Sequence, residues 1–355
     1  MSVQYVKLGD VCAKDSSNIA QKDLKDCFGK YPVYGAGGYI QNVDFYHQED
    51  EYIAIVKDGA GVGRAMILPA KSSVIGTMQY IIPDKNKVDM YYLYYAIINM
   101  ALGKYFSGAT IPHIYFKDYQ KEIFKLPDLE TQKKIADNLK NIDLIIAKKN
   151  KQIGLFNELV KSRFIEMFGT FPENSKNWTI CTIKEIVSDV RYGTSRAAVD
   201  GGKYPYLRMN NITYDGELDL TDLKYIDIPD KELEKCTVKC GDVLFNRTNS
   251  KELVGKTCVY NRNDTMVLAG FIIRIRVNEN ILPVFLAMFL NMDFSKTMLK
   301  EMCKSAIGQA NINATELQKI RIILPPIELQ EEFVEFKNQT DKSKFVIQKS
   351  LNYLL

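Results

Sequence analysis

Histidine is scarce in this chain: His47 and His113 are the two that occur in 355 residues. The cysteines do not make up for it. Cys12, Cys27, Cys181, Cys236, Cys240, Cys258 and Cys303 are odd in number and irregularly spaced. Cys236 and Cys240 form the one close pair, with no second pair or histidine following, which argues against a structural zinc site and makes free thiols in a reducing compartment the expectation. Long apolar runs are missing too. None approaches the 18 residues of a membrane span, residues 90–102 are interrupted by Asn99, and the opening MSVQYVKLGDV has no apolar signal core. The expectation is a soluble, cytoplasmic protein. Charge of one sign is also lacking: 47 basic against 43 acidic residues give +4, which does not demand nucleic acid but leaves room for a local basic face. Finally, there is no Asn/Asp-Pro-Pro-aromatic tetrapeptide of a methyltransferase, no glycine-rich cofactor loop after a strand and no P-loop. Asp222-Leu223-Lys224 and Glu335-Phe336-Lys337 have the acid-x-Lys form of some nucleases without its strand context, and read as solvated charges. The chain is therefore expected to bind no metal or cofactor and to be non-catalytic on its own.

What is present is a long periodic stretch, residues 126–169. Pro127 and Asp128 supply a helix start, Glu130 suits the first turn, and Gly169 with Pro172 supplies the stop. Between them Ile135, Leu139, Ile142, Ile146, Ile153, Phe156 and Val160 recur at alternating four- and three-residue steps, a heptad seam weakened where Lys149 and Arg163 fall on it. About 40 helical residues would span roughly 60 Å. A rod of that length reads as a spacer in need of a partner helix.

The partner comes from an internal repeat. Leu126-Pro127-Asp128-Leu129-Glu130-Thr131-Gln132 returns as Leu324-Pro325-Pro326-Ile327-Glu328-Leu329-Gln330, an offset of 198 from Leu126 to Leu324. At that offset Ser107 falls on Ser305, His113-Ile114 on Asn311-Ile312 and Ile135 on Phe333. The preceding apolar helices (residues 90–102 and 282–290) and the strand–turn–strand units with Gly63 and Gly255 recur in the same order. A period this long is a duplicated domain-plus-helix rather than a solenoid. The predicted class is α+β: a first mixed domain (1–125), a central spacer helix (126–170), a second domain (171–323) and a distal helix (324–355). Phe333, Ile347 and Leu351 keep the seam of the distal helix, while Thr340 and Ser343 interrupt it. The two helices can close on each other antiparallel with the domains at opposite ends, or serve as oligomerisation arms; both readings stand. Within the domains, residues 30–38 read as a glycine-rich loop, Tyr52–Val56 and Ala65–Leu68 as paired strands, residues 242–246 as a strand and residues 247–250 as the turn after it.

Four stretches carry a family resemblance: LPDLETQKKIADNLKNID, ELVKSRFIEMFG at the end of the central helix, Trp178-Thr179-Ile180-Cys181-Thr182-Ile183-Lys184-Glu185-Ile186 at the opening of the second domain, and LPPIELQ. Over essentially its whole length the chain resembles the specificity subunits of type I restriction–modification systems. The resemblance implies two target recognition domains, each reading half of a bipartite double-stranded DNA site, and two long helices acting as a ruler. It further implies that the helices dock two modification subunits that methylate adenine at N6 with S-adenosylmethionine bound on those partners, and that restriction subunits join where present. The distal helix has no counterpart of SRFIEMFG, which leaves residues 164–168 of the central helix without an obvious intramolecular mate.

Readers of base edges in the major groove are expected among Arg, Lys, Asn and Gln on loops. In the first domain the candidates are Lys57, Arg64, Thr110 and His113. In the second they are Arg191, Arg196, Arg208, Asn210, Asn211, Asn246, Arg247, Asn249, Gln309 and Asn311. Five consecutive donor or acceptor side chains, Asn246-Arg247-Thr248-Asn249-Ser250, make the strongest cluster, although each alone fits a plain polar hairpin tip. Tyr192 fits rim packing or stacking. Two other classes remain: a self-contained DNA-modifying or DNA-cleaving enzyme, and a coiled-coil scaffold binding only protein.

Overall fold

A computed structural model describes residues 4–108, 111–250, 252–303 and 310–354. Thr110 and Gln309 of the sequence-predicted set lie outside the described residues. The chain divides into two compact units, Met1–Ala147 and Lys148–Leu355, with the boundary inside the long helix.

Unit 1 contains strands β1 (Gln4–Lys7), β2 (Cys12–Ser16), β3 (Tyr31–Gly35), β4 (Gly38–Val43), β5 (Tyr52–Val56), β6 (Ala65–Leu68), β7 (Ser73–Val74), β8 (Met78–Pro83) and β9 (Ile123–Leu126). Helices α1 (Met90–Met100) and α2 (Phe116–Tyr119) precede β9, and α3 (Leu129–Phe168) follows it. The sheets run β2-β8-β5-β6, β4-β3-β7 and β1-β9. β5 is apolar throughout because both of its faces are covered. Ile53 and Ile55 point into the core shared with Leu93 and Ile97 of α1. Tyr52, Ala54 and Val56 point the other way, to a second cluster with Val74, Met78 and Tyr80. Asp89 caps α1, its Oδ1 accepting from the backbone N–H groups of Tyr91 and Tyr92 at 3.0 Å each. Residues 30–38, expected as a loop, are instead the β3–β4 hairpin. Its glycines serve the tight turn, with Gly38 at φ +108°, rather than loosening the whole stretch.

Unit 2 repeats this plan. It has β10 (Thr179–Thr182), β11 (Val187–Tyr192), β12 (Tyr204–Leu207), β13 (Lys224–Ile226), α4 (Asp230–Cys236), β14 (Val243–Asn246), β15 (Thr248–Asn249), β16 (Thr257–Val259), β17 (Val267–Leu268) and β18 (Ile272–Val277). Then come α5 (Pro283–Asn291), α6 (Asp293–Met302), β19 (Ala310–Asn311), α7 (Ala314–Gln318), β20 (Arg321–Leu324) and α8 (Ile327–Asn352). Its sheets run β11-β18-β14-β16, β13-β12-β17 and β10-β20, the orders of unit 1 strand for strand, with a further β15-β19 pair. The parallel contact recurs as well, β3 on β7 and β12 on β17. Gly63 and Gly255 hold the same hairpin position with φ of +85° and +78°. A Cβ on Gly63 would come within 2.3 Å of the Gly103 nitrogen, so only glycine fits there. The helix α6 directly after α5 has no sequence expectation behind it.

The repeated glutamine of LP-x-x-E-x-Q has a physical job. Gln132, buried, accepts from the Asp89 N–H (2.8 Å) and donates to the Lys87 (3.1 Å) and Pro127 (2.8 Å) carbonyls. Gln330, buried, accepts from the Leu282 N–H (2.8 Å) and donates to the carbonyls of Asn280 (3.2 Å) and Pro325 (2.9 Å). In each unit one amide thus ties the start of a long helix to the start of the apolar helix before it.

Within unit 2, α8 runs antiparallel to the second half of α3. Lys149 Nζ donates to Ser350 Oγ (2.5 Å), Lys344 Nζ to Asn157 Oδ1 (2.9 Å), and Arg163 pairs with Glu332 (2.9 Å). The seam runs through Ile153, Phe156, Val160, Phe333, Ile347 and Leu351, of which Val160, Phe333 and Leu351 are buried. Lys149, Lys344 and Thr340 find partners across or along the helices, and such polar layers fix register. Two expectations are corrected. Phe164 and Phe168 are not an exposed end: antiparallel pairing brings the beginning of α8, not its end, to them, and both are fully buried against Phe333 and Phe285. Ile135 is 37% exposed, and Ala136 is buried in its place because the Gln132 brace turns that face inward. Leu139, Ile142 and Ile146 are half-buried.

Candidate nucleic-acid interface

The elements that converge at one edge of unit 2 are the turn after β14 and the strand β19. Antiparallel pairing puts Thr248 opposite Asn311, and Asn249 opposite Ala310. The Ile312 N–H donates to the Arg247 carbonyl (2.9 Å) and the Arg247 N–H to the Phe271 carbonyl (3.0 Å), so the backbone around Arg247 is clamped from both sides. Its guanidinium donates through Nε to the Gly270 carbonyl (2.9 Å) and through Nη1 to Asn311 Oδ1 (2.9 Å), and lies 4.9 Å from the centre of the Tyr192 ring. Thr248 Oγ1 also donates to Asn311 Oδ1 (2.9 Å). The Tyr192 hydroxyl accepts from the Ala314 N–H (2.7 Å), holding a ring that is 43% exposed. Arg247 Nη2 and the Asn311 amide nitrogen have no hydrogen-bond partner among the described residues. A preorganised cation on an aromatic face, with free N–H donors beside it, suits phosphate oxygens or the acceptor edge of a base.

Unit 1 builds the same junction from different side chains. The Ile114 N–H donates to the Lys57 carbonyl (3.0 Å), the counterpart of the Ile312–Arg247 bond. Asp58 bridges to His113 as Thr248 pairs with Asn311, and the Asp58 carboxylate meets His113 Nδ1. The His113 ring lies 4.1 Å from that of Tyr115 between centroids, and Lys117 Nζ stands 5.2 Å from the Tyr115 ring. Lys57 therefore takes the place of Arg247, Asp58 that of Thr248 and His113 that of Asn311. The histidine is half-buried at this junction; among the described residues no group of three or more His, Cys, Asp and Glu is placed to hold a metal ion.

The remaining sequence-predicted residues disperse. Asn211 and Asn246 are corrected from loop readers to interior residues. Asn211 is 1% exposed and holds the Arg208 N–H (2.8 Å) and the Asp219 carbonyl (2.8 Å). Asn246 is fully buried, closing β14. Arg208 binds the Asp222 carbonyl (2.9 Å) and carboxylate (2.8 Å), and Arg191 the Asp189 carboxylate (2.8 Å). Arg196 makes a two-pronged pair with Glu232 (2.8 and 3.1 Å), whose carboxyl that bond holds below its ordinary range. Arg64 reaches the Ala36 carbonyl. Asn249 Oδ1 accepts from the Ser250 N–H (2.9 Å), and Asn210 is exposed. Residues 247–250, expected as a turn, thus include a short strand. Asp58 and Tyr115 complete the first junction without having been singled out, and Thr248 completes the second from within the cluster of residues 246–250. The offset that carries His113 onto Asn311 was the available signal, since whatever faces one of these residues corresponds to whatever faces the other.

A profile described as the type I restriction modification DNA specificity domain matches residues 2–155 and again 175–353. The chain is 32% identical over 190 residues to the putative type I restriction enzyme MjaX specificity subunit of Methanocaldococcus jannaschii, covering 52% of this chain and 44% of that protein. It is 23% identical over 268 residues to the type I restriction enzyme EcoKI specificity subunit of Escherichia coli, covering 70% of this chain and 57% of that protein. The alignments span about half the length of these two relatives. The fold is similar to the crystal structure of the S subunit of a type I restriction–modification system from M. genitalium, with a TM-score of 0.60 at 15% identity over 100% of this chain and 93% of that one. Among the described residues no helix is long and apolar enough to cross a membrane.

Proposed function

This chain belongs to the type I restriction–modification specificity subunits, and from that premise we propose that it reads a bipartite double-stranded DNA site, one half per unit, for a methyltransferase complex. One observation carries the reading: both units build the same backbone junction, Lys57–Ile114 and Arg247–Ile312, and dress it with different side chains. A constant frame with variable readers is what two unlike half-sites require. Lys57, Asp58 and His113 face one half; Arg247, Thr248 and Asn311 face the other. The long helices carry the partners, two N6-adenine methyltransferase subunits that hold S-adenosylmethionine, with restriction subunits where the system includes them. The chain contributes recognition and spacing and performs no bond chemistry itself.

The test is genome-wide mapping of N6-methyladenine in cells with and without this protein. Loss of one split motif is expected, and an unchanged map sinks the proposal. Replacing residues 171–323 by the corresponding domain of a relative with another specificity should alter one half of that motif and leave the other. At finer scale, Arg247→Ala in the methyltransferase complex should weaken binding of the cognate duplex by ~1–3 kcal/mol, about 5- to 150-fold, and relax discrimination at one base pair. Arg196→Ala, whose charge is already held by Glu232, should change binding by no more than a few fold. Fluorescence anisotropy on matched and single-mismatch duplexes separates the two, and equal effects would remove Arg247 from the interface.

A further inference from the structure

Beside each junction one turn is copied bond for bond while its exposed residue changes. In unit 1 the turn is Ile75-Gly76-Thr77-Met78, and in unit 2 it is Ala269-Gly270-Phe271-Ile272. The Met78 N–H closes on the Ile75 carbonyl (3.0 Å) and the Ile272 N–H on the Ala269 carbonyl (2.9 Å). The Gly76 N–H donates to the Ile19 carbonyl and the Gly270 N–H to the Thr194 carbonyl, both at 2.7 Å. The Ile75 N–H donates to the Tyr34 carbonyl and the Ala269 N–H to the Leu207 carbonyl, both at 2.9 Å. The carbonyl of the changed residue is held by the junction itself: Thr77 accepts from the Lys57 N–H and Phe271 from the Arg247 N–H, at 3.0 Å each. In unit 2, Arg247 Nε also donates to the Gly270 carbonyl (2.9 Å). This frame carries a phenylalanine that is 47% exposed in unit 2 and an exposed threonine in unit 1. Turns of this kind ordinarily carry polar or small residues. The Phe271 ring joins no aromatic pair among the described residues. An exposed ring on a backbone clamped at both ends is held ready for contact, with little left to order on binding.

We infer that Phe271 sets specificity in the half-site of unit 2 by packing on the C5 methyl group of a thymine, beside the base pair that Arg247 reads. The inference rests on the proposed DNA reading and adds a base identity to it. A phenyl ring neither donates nor accepts a hydrogen bond. The thymine methyl is the one apolar group that base edges present in the major groove, and phenylalanine is among the side chains suited to it. Position supports the pairing with Arg247. The Arg247–Phe271 bond extends the β14–β18 ladder, in which Asn246 faces Ile272. Residues facing each other across a ladder are ~5 Å apart, against ~3.4 Å between successive base pairs, so the cation can read one pair while the ring covers the next. The threonine of unit 1 fits the same chemistry, because its methyl group can make the same contact over a smaller area.

The probe is the duplex defined by methylation mapping, with deoxyuridine replacing thymidine at one position at a time, bound by the methyltransferase complex that contains the full chain. Deoxyuridine still pairs with adenine and lacks only the methyl group. One such replacement in the half read by unit 2 should weaken binding ~4-fold, or ~0.8 kcal/mol, the value of one buried methyl group. Phe271→Ala should weaken binding of the thymine duplex at least as much, and should then bind the thymine and deoxyuridine duplexes alike. Replacements in the other half should affect both proteins equally. An unchanged unfolding midpoint at Trp178 shows that the variant folds. Deoxyuridine tolerated at every position of the unit 2 half overturns the inference, as does a penalty that persists in Phe271→Ala. Equal weakening of cognate and unrelated duplexes by Phe271→Ala would make the ring a backbone contact or a wedge, and no weakening would give it to a partner subunit; either result overturns the inference. None of these outcomes touches the DNA reading. That reading fails, and the inference with it, when the native complex does not tell the split motif from an unrelated duplex.

Discussion

Phe164→Ala is expected to destabilise unit 2 by ~3–5 kcal/mol, the cost of lost transfer energy plus the cavity left when a fully buried phenylalanine is truncated. Phe164 is where three elements meet. Its ring lies 5.0 Å from Phe168 on its own helix, 5.3 Å from Phe285 on α5 and 5.3 Å from Phe333 on α8. Aromatic clusters of this kind cannot collapse around a missing ring, because their neighbours are held edge to face by their own contacts. The single tryptophan, Trp178, sits at this cluster through its bond to the Phe168 carbonyl, so its fluorescence reports unit 2 and not unit 1. Urea titration followed at that tryptophan should show the lost stability as a lower midpoint with little change in slope. Leu155→Ala on the same helix, 57% exposed, should cost less than ~0.5 kcal/mol. If the two variants move the midpoint equally, the cluster does not anchor α3 to unit 2. A functional consequence follows under the proposed function: α3 and α8 meet the rest of unit 2 through these rings, so loosening them would free it from the helices proposed to set its spacing.

That anchor also marks where sequence reasoning succeeded and where it stopped. The duplication, the long helix and the antiparallel sense of the pairing were legible, because LP-x-x-E-x-Q occurs twice and heptads need a partner. The mate of Phe164 was not. Reading the two helices end for end suggested that a short α8 would leave the last turns of α3 uncovered, whereas antiparallel order covers those turns first. Asn211 and Asn246 failed for a related reason. A polar side chain near a strand end looks the same in sequence whether it faces solvent or closes a backbone gap, and only three-dimensional pairing shows that Asn211 satisfies Arg208 and Asp219. Arg191, Arg196 and Arg208 were visible as cations but not as paired ones, since Asp189, Glu232 and Asp222 are 2, 36 and 14 residues away respectively. Arg247, Asn311, Lys57 and His113 were legible individually. Their organisation into two equivalent junctions became visible once the strands were in place.

Arg274→Leu is the second large effect, and its pH dependence distinguishes its cause. Arg274 on β18 is 1% exposed; it donates to Asp189 on β11 (2.7 Å) and to the Thr237 carbonyl, and its Nε stands 3.9 Å from the Asp242 carboxylate, close enough for charge but not for a hydrogen bond. Asp242, also buried, is held by Arg276 (2.8 Å) and by the Lys239 N–H (2.8 Å). The guanidinium thus stands between two carboxylates in the sheet whose central strand β14 leads into Arg247. Burial raises the Asp189 carboxyl, but hydrogen bonds from Arg274 and Arg191 outweigh it, and the group is held below the ordinary aspartate range. A carboxyl depressed in the folded state adds stability that is present above its unfolded value, about 4, and is lost as pH falls through the lower folded value. Removing Arg274 breaks a buried ion pair, leaving half-buried Asp189 with Arg191 as its remaining partner and Asp242 with Arg276, and should cost ~3–5 kcal/mol at neutral pH. In the variant, burial alone acts on Asp189 from this side, so its carboxyl rises and takes up a proton earlier on acidification. The gap between variant and native protein should therefore narrow as pH drops from about 7 to about 4, while each protein becomes less stable on its own acid limb. Arg191→Ala, which removes a half-exposed partner of the same carboxylate, should cost ~1 kcal/mol or less. Tryptophan-monitored unfolding of the three proteins across that range settles the matter. A constant gap would mean that Arg274 acts through packing of its side chain rather than through the charge it holds between the strands.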